Sequence, residues 1–532
     1  MVRVAGIRLT LGVAVLAAAL AAAAAPAASA AVDPVLLARL NLHRGAAAAS
    51  YGKAVAVSGT TTVVGDDGAG GKGAVYVYED DGGTPALVAT LHAPAPQQGD
   101  LFGHSVAVDG GTIVVGAPGA IPQSDFGGSG RQRAYVFERS AAGRWRRAAT
   151  LTRSAAPATG AVFGWAVAVS GGTVAVAAID PLGAGVIGEA DVFARPDGGW
   201  RDMTQTARLV PAGAVADDQV GASIAVSGAT VVVGAPRVAV GGAMVGAAYV
   251  FTRPRAGWAD ATGGVQLPLA AGSDLDGFGD AVAVHGGTVA VGAPGGAWWG
   301  HHRPYVALYR RPAAGWSALT RESARFDAPD GQLIFGASVA LAPGVLVVGA
   351  RAKGGSAQAG RVYVYGEGAD GWSGSADPAV IAPPRAAGST GAFGVVAADG
   401  SRFAVGKTGD SSKGQGGSAY VYGIAGLVQG RARIDHHSTL RVRIRVPGAG
   451  LLVVRGTAGW GPAGRDLCRS SARADAAGWV EVECTPNVSL AQRARGRVKM
   501  TLHLSFVDPP QAPVADAERF ALLLPVPAPV TG

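Results

Sequence analysis

Gly103-His104-Ser105-Val106-Ala107 sets a serine beside a histidine and between small residues, the outline of a nucleophile elbow. The same position further along the chain reads Gly221-Ala222-Ser223 and Gly279-Asp280-Ala281. Ser105 is therefore read as a repeated strand residue and not as a nucleophile. Gly70-Gly71-Lys72-Gly73 lacks the first glycine and the Ser/Thr of a phosphate-binding loop, and no HExxH occurs. Asp274, Asp276 and Asp280 come nearest to a calcium-like cluster. They stand before and after an aromatic-Gly pair, however, and read as a solvated turn. A paired-carboxylate glycosidase site could be drawn from distant stretches, but no single stretch nominates one. The expectation is a chain with no catalytic residue, no metal and no cofactor.

Residues suited to binding are easier to find. Trp298 and Trp299 are separated by one residue from His301 and His302, and Asp125, Phe126 and Arg131 occupy another variable stretch. Exposed Trp beside polar groups suits stacking on a sugar or anchoring a protein partner. The alternative is that the Trp pair folds over the scaffold and packs internally. Adjacent histidines diverge, so His301 and His302 are not expected to share a metal.

The elements that must position these residues come from a repeat. An aromatic-Gly or apolar-Gly anchor recurs at Tyr51-Gly52, Phe102-Gly103, Phe163-Gly164, Val220-Gly221, Phe278-Gly279, Phe335-Gly336 and Phe393-Gly394. Each opens the same grammar, as in Gly221-Ala222-Ser223-Ile224-Ala225-Val226, a turn at Ser227-Gly228, then Thr230-Val231-Val232-Val233-Gly234-Ala235-Pro236. Short Val, Ile and Tyr runs bounded by Gly and Pro are strands, and the Gly-containing junctions are tight hairpins. The first two strands are apolar almost throughout, as inner strands covered on both faces should be. A Trp then recurs (Trp145, Trp200, Trp258, Trp316, Trp372) near a more polar fourth strand. Four strands per unit, seven times, predict a β-propeller; a solenoid is the rival.

The seventh unit lacks its fourth strand after Ala419-Tyr420-Val421-Tyr422, while an orphan strand, residues 34–40, precedes the first anchor. A solenoid does not explain that arrangement. The N-terminal segment is expected to complete the seventh blade and close the ring. Loops before each anchor and after each Gly-Ala-Pro then share one face, where recognition residues on a rigid scaffold are usually placed.

These units resemble the FG-GAP repeat family, known from the propellers of integrin alpha subunits, and more closely its secreted bacterial branch. The motif pairs are Phe102-Gly103 with Gly116-Ala117-Pro118, Val220-Gly221 with Gly234-Ala235-Pro236, and Phe278-Gly279 with Gly292-Ala293-Pro294. The resemblance implies a seven-bladed fold over residues 34–424 and ligand recognition on the loop face. It also implies calcium loops between the first two strands of a blade. Here those positions are minimal turns (Ser58-Gly59, Asp109-Gly110, Ser170-Gly171, Ser227-Gly228, His285-Gly286, Pro343-Gly344, Asp399-Gly400), and the family's calcium sites are expected to be lost.

The ends of the chain complete the expectation. Residues 1–30 combine Arg3 and Arg8, an Ala-rich apolar run and Ala28-Ser29-Ala30, the layout of a secretory signal peptide; an uncleaved anchor is the alternative. No later stretch is apolar for long enough to span a membrane. Arg far outnumbers Lys, and Ala and Gly are abundant, a bias associated with bacterial genomes. Residues 31–427 form the propeller, with balanced charge. Residues 428–532 carry 14 basic and 8 acidic side chains, a surplus read as a solvated surface or a contact to a wall polymer. Alternating runs there predict a small, immunoglobulin-like β-sandwich with a Pro-rich tail. Cys468 and Cys484 are expected to pair in an exported chain, closing a loop of about 17 residues and contributing roughly 3 kcal/mol. The overall fold class is all-β. The function expected is that of a secreted or cell-surface, non-catalytic adhesion protein that binds an extracellular protein or glycan, not nucleic acid. The alternatives are a polysaccharide-acting hydrolase or lyase with a site assembled across blades, and a structural envelope protein.

Overall fold

Val231, Val232 and Val233 show why the inner strands are apolar on both faces. Val231 and Val233 pack with Val192, Ala207 and Leu209 of the preceding blade. Val232, pointing the other way, packs with Phe278, Val289 and Val291 of the following one. A strand alternates its side chains across the sheet, so a sheet flanked on both sides needs apolar residues at every position.

The computed structural model describes residues 32–41, 50–80, 85–119, 131–154, 161–180, 185–269, 272–295, 303–329, 334–352, 360–368, 371–383, 393–400, 402–409 and 416–425, together with seven strands beyond residue 429. Residues 32–425 form seven blade sheets with one strand order, besides a two-stranded ribbon of Ala239–Val240 and Ala243–Met244. In blade four this is Ser223–Ser227, Thr230–Ala235, Ala247–Thr252 and Val265–Gln266. Innermost strands of neighbouring blades touch in a closed circle that returns from blade seven (Phe393–Asp399) to blade one (Ala54–Ser58). Seven apolar cores, one between each adjacent pair of blades, hold the ring together. The recurrent tryptophans sit in these cores. Trp200, Trp258 and Trp316 are buried against the preceding blade, and Trp145 and Trp372 are partly so.

The ring closes as the strand count predicts. Asp33–Leu40 pairs antiparallel with Ser418–Ala425, and Ala38 and Leu40 enter the core between blades seven and one. Blades two and three depart from the four-strand plan. Met203–Thr204 adds to Trp145–Thr152, and Ala261–Gly263 adds to Ala207–Pro211, each in parallel. Both extra strands come from the chain leading towards the next blade's outer edge, and each covers an edge that would otherwise stay open.

Beyond residue 429, Gly430–Ile434, Leu440–Val446 and Gly478–Cys484 form one sheet in that order. Arg465–Ala474, Gly450–Ala458, Val498–Val507 and Phe520–Leu524 form another. Cys484 and Cys468 thus stand in different sheets, and their side chains lie outside the described residues. The segment read as a signal peptide, residues 1–30, also lies outside them. Among the described residues, no helix is long and apolar enough to cross a membrane.

Candidate functional site

The repeat motif positions its residues by close backbone contact. A Cβ at Gly234, the glycine of Gly-Ala-Pro in blade four, would run into the carbonyl of Gly279, the anchor glycine of blade five. Gly279 has φ +99°, a backbone conformation that L side chains rarely adopt. The two motif glycines are therefore one joint, met from both sides of a blade boundary. Ser223 strengthens it by donating from Oγ to the Gly279 carbonyl at 2.8 Å, and Ser105 repeats the bond to Gly164 at 3.3 Å.

The two faces of the ring are built differently. On one face the first hairpin turns are bonded to each other. Ser58 Oγ accepts the Gly110 N–H, Ser170 Oγ that of Gly228, and Ser227 Oγ that of Gly286. Asp109 and Asp399 do the same through carboxylates to Gly171 and Gly59. These positions, where the family's calcium loops are expected, carry a blade-to-blade relay. His285 and Pro343 interrupt it, making no bond to the following turn among the described residues.

The opposite face, carrying the anchors, collects the side chains with chemistry. The first residue after each anchor glycine stands just before or within the first few residues of an innermost strand, so these residues ring the axis: Lys53, His104, Trp165, Ala222, Asp280, Ala337 and Val395. Asp67 lies between the first two. Its Oδ2 accepts Lys53 Nζ at 2.5 Å and His104 Nδ1 at 3.0 Å. The His104 ring in turn lies 4.7 Å from the Trp165 ring, centroid to centroid. Four residues from blades one, two and three thus form one chain around the mouth of the axis.

Burial alone would raise the Asp67 carboxyl, but the His104 hydrogen bond and the Lys53 ammonium outweigh it and hold it below the usual carboxylate range. Burial lowers His104, more than its bond to Asp67 raises it. The ring is neutral at neutral pH; Nδ1 carries the proton because a carboxylate only accepts, and Nε2 is a bare acceptor. Neighbouring Asp66 is 1% exposed, and the amides of Gly68 and Ala69 approach its carboxylate without a well-aligned hydrogen bond. Burial and Asp67 push it up to about 6, only partly offset by the amides of Gly68 and Ala69. Across the axis, burial raises Asp280, partly offset by Arg351.

The residues singled out from sequence are placed as follows. Arg131 is exposed on the anchor face, its backbone N–H donating to Asp100 Oδ1 at 3.1 Å. Trp298, Trp299, His301, His302, Asp125 and Phe126 lie outside the described residues. The three aspartates of the calcium-like cluster serve separate ends. Asp274 accepts the Met244 N–H, Asp276 accepts Ser273 N–H and Tyr305 OH, and Asp280 faces Arg351. Among the described residues no group of three or more His, Cys, Asp or Glu could hold a metal. Sequence reasoning missed the Lys53–Asp67–His104–Trp165 chain. Its signal was available: three of the four share one repeat position, where the other units carry Ala222, Asp280, Ala337 and Val395.

The FG-GAP repeat family model matches residues 86–137 and 203–251. Each match runs from around the outer strand of one blade into the third strand of the next. No curated protein matches the chain. Among solved structures, one similar chain comes from an S. cerevisiae complex of Dbp5 with Nup159, Gle1, IP6 and ADP. The TM-score is 0.37 at 9% identity, covering 75% of this chain and 96% of that one. The chain thus carries FG-GAP repeats at residues 86–137 and 203–251, within seven blades closed around one axis.

Proposed function

We propose that this is an extracellular, non-catalytic binding or adhesion protein that recognises a protein or glycan through the anchor face of its propeller. The observation that supports this is the contrast between the faces. Turn side chains on one face are spent on each other, whereas the other gathers Lys53, His104, Trp165, Asp280 and exposed Arg131 at and around the axis. A rigid ring carrying variable loops is a general recognition scaffold. Secretion by the 1–30 segment, a Cys468–Cys484 disulfide and wall-polymer contact by the basic segment after residue 427 belong to the same reading. Binding of the secreted chain to arrays of glycans and envelope proteins tests it. Lys53→Glu and Arg131→Glu should abolish the signal, while Arg253→Glu and Arg311→Glu on the turn face should leave it intact. The reverse pattern, or clean failure on both arrays, sinks the proposal. The protein is also read as needing no calcium, so its melting temperature should not move with chelator.

A specific observation favours a second reading, an enzyme acting on polysaccharide. His104, oriented by Asp67 and bare at Nε2, has the geometry of a general base. Turnover of a polysaccharide that disappears in His104→Gln would establish it.

A further inference from the structure

Resting on the proposed anchor-face function, the ring order around the axis narrows the ligand. After Trp165 in blade three come Ala222 in blade four, Asp280 in blade five and Ala337 in blade six, each at the same repeat position. The two alanines leave space on either side of the carboxylate. Trp165 is partly exposed and is held from behind by the His104 ring. Asp280 keeps partial solvent access, and no side-chain hydrogen bond or ion pair to it occurs among the described residues. The Nε of Arg351, whose charge acts on Asp280, is buried without a partner. Leaving a walled carboxylate and a guanidinium nitrogen unpaired costs free energy that a ligand's hydroxyls would offset.

We propose that the axial mouth of the anchor face binds one sugar ring of a neutral glycan between Trp165 and the Asp280–Arg351 pair. A pyranose offers a C–H face for stacking on Trp165 and rim hydroxyls that donate to Asp280 and accept from Arg351 Nε. Charge balance selects a neutral ligand. Lys53 is paired with Asp67, the Arg351 charge acts on Asp280 without a direct ion pair among the described residues, and Asp66 is sealed from solvent, so the mouth presents little net charge to draw an ionic group.

The test is titration of the secreted chain with neutral oligosaccharides of glucose, galactose, mannose and N-acetylglucosamine, read by tryptophan fluorescence and calorimetry. Trp165→Ala and Asp280→Asn should each weaken binding at least about tenfold, and Trp165→Phe less. Ala222→Leu, which fills the gap without touching a polar group, should weaken it similarly, and melting curves check that each variant is folded. Glycan binding that survives these variants but fails in Arg131→Glu overturns this site and leaves the anchor face as the binding surface. Binding of an envelope protein without any oligosaccharide overturns the ligand class alone. Failure with both probes overturns this inference and the function it rests on.

Discussion

Asp399, in the first turn of blade seven, accepts the backbone N–H of Gly59 in blade one at 2.7 Å, across 340 residues of chain. The same bond links consecutive turns elsewhere around that face, so the relay crosses the closure point as if the ring had no ends. Closure is thus secured at two levels, by the N-terminal strand at the periphery and by the turn relay near the axis.

The relay predicts a gain as well as a loss. Asp399→Ala should destabilise the ring by about 0.5–1 kcal/mol, the value of one partly exposed hydrogen bond. His285→Ser restores an acceptor where the relay is broken and should stabilise by a similar amount. Urea unfolding of both variants measures this; a His285→Ser protein no more stable than the parent counts against the turn relay as a source of stability.

The closing blade boundary also holds an ion pair, Arg402 Nη1 to Asp80 Oδ2 at 2.8 Å, both partners buried. Asp80→Ala strands a buried guanidinium and should cost about 3–5 kcal/mol. The double variant Asp80→Ala/Arg402→Met should recover most of that loss. Equal losses in single and double variants would show that packing, and not the unpaired charge, is responsible.

Asp66 makes stability depend on pH. Its carboxyl, about 6 in the folded protein, lies near 4 in an unfolded chain. The folded state therefore holds the proton more tightly. The penalty is absent below about pH 4, grows as pH rises, and is complete above about pH 6. Asp66→Asn should be more stable than the parent at about pH 7, by up to roughly 3 kcal/mol, with the gain vanishing towards about pH 4. Asp67, held low, acts in the opposite sense: its contribution is lost as pH falls. The difference between parent and variant is accordingly the quantity to follow, and a gain that does not change with pH would refute the assignment.

Gly234→Ala should destabilise by about 3 kcal/mol, because its Cβ meets backbone, not a movable side chain. Gly228→Ala, at φ +56° with open space around it, should cost only the strain of that conformation, about 1 kcal/mol. Thermal melting separates the two. Comparable losses would mean that conformation, and not the approach of neighbouring blades, explains the conserved spacing of the joint within this chain's repeats.

Much of the fold is determined locally and is legible in the sequence. Anchors such as Phe278-Gly279, turns such as Ser227-Gly228 and the runs between them are set by backbone sterics and by apolar burial, and both recur at each unit. Counting strands even assigned residues 34–40 to the last blade, since a missing strand at one end and a spare at the other leave one solution. What only the tertiary structure decided is which residues meet around the axis. Lys53, Asp67, His104 and Trp165 come from three units, and nothing in their local spacing says that a carboxylate from one will bond a lysine and a neighbouring unit's histidine. The physical reason is that a ring converts equal sequence positions into spatial neighbours. Side chains that look isolated along the chain, such as His104 and Trp165, become neighbours across a blade boundary.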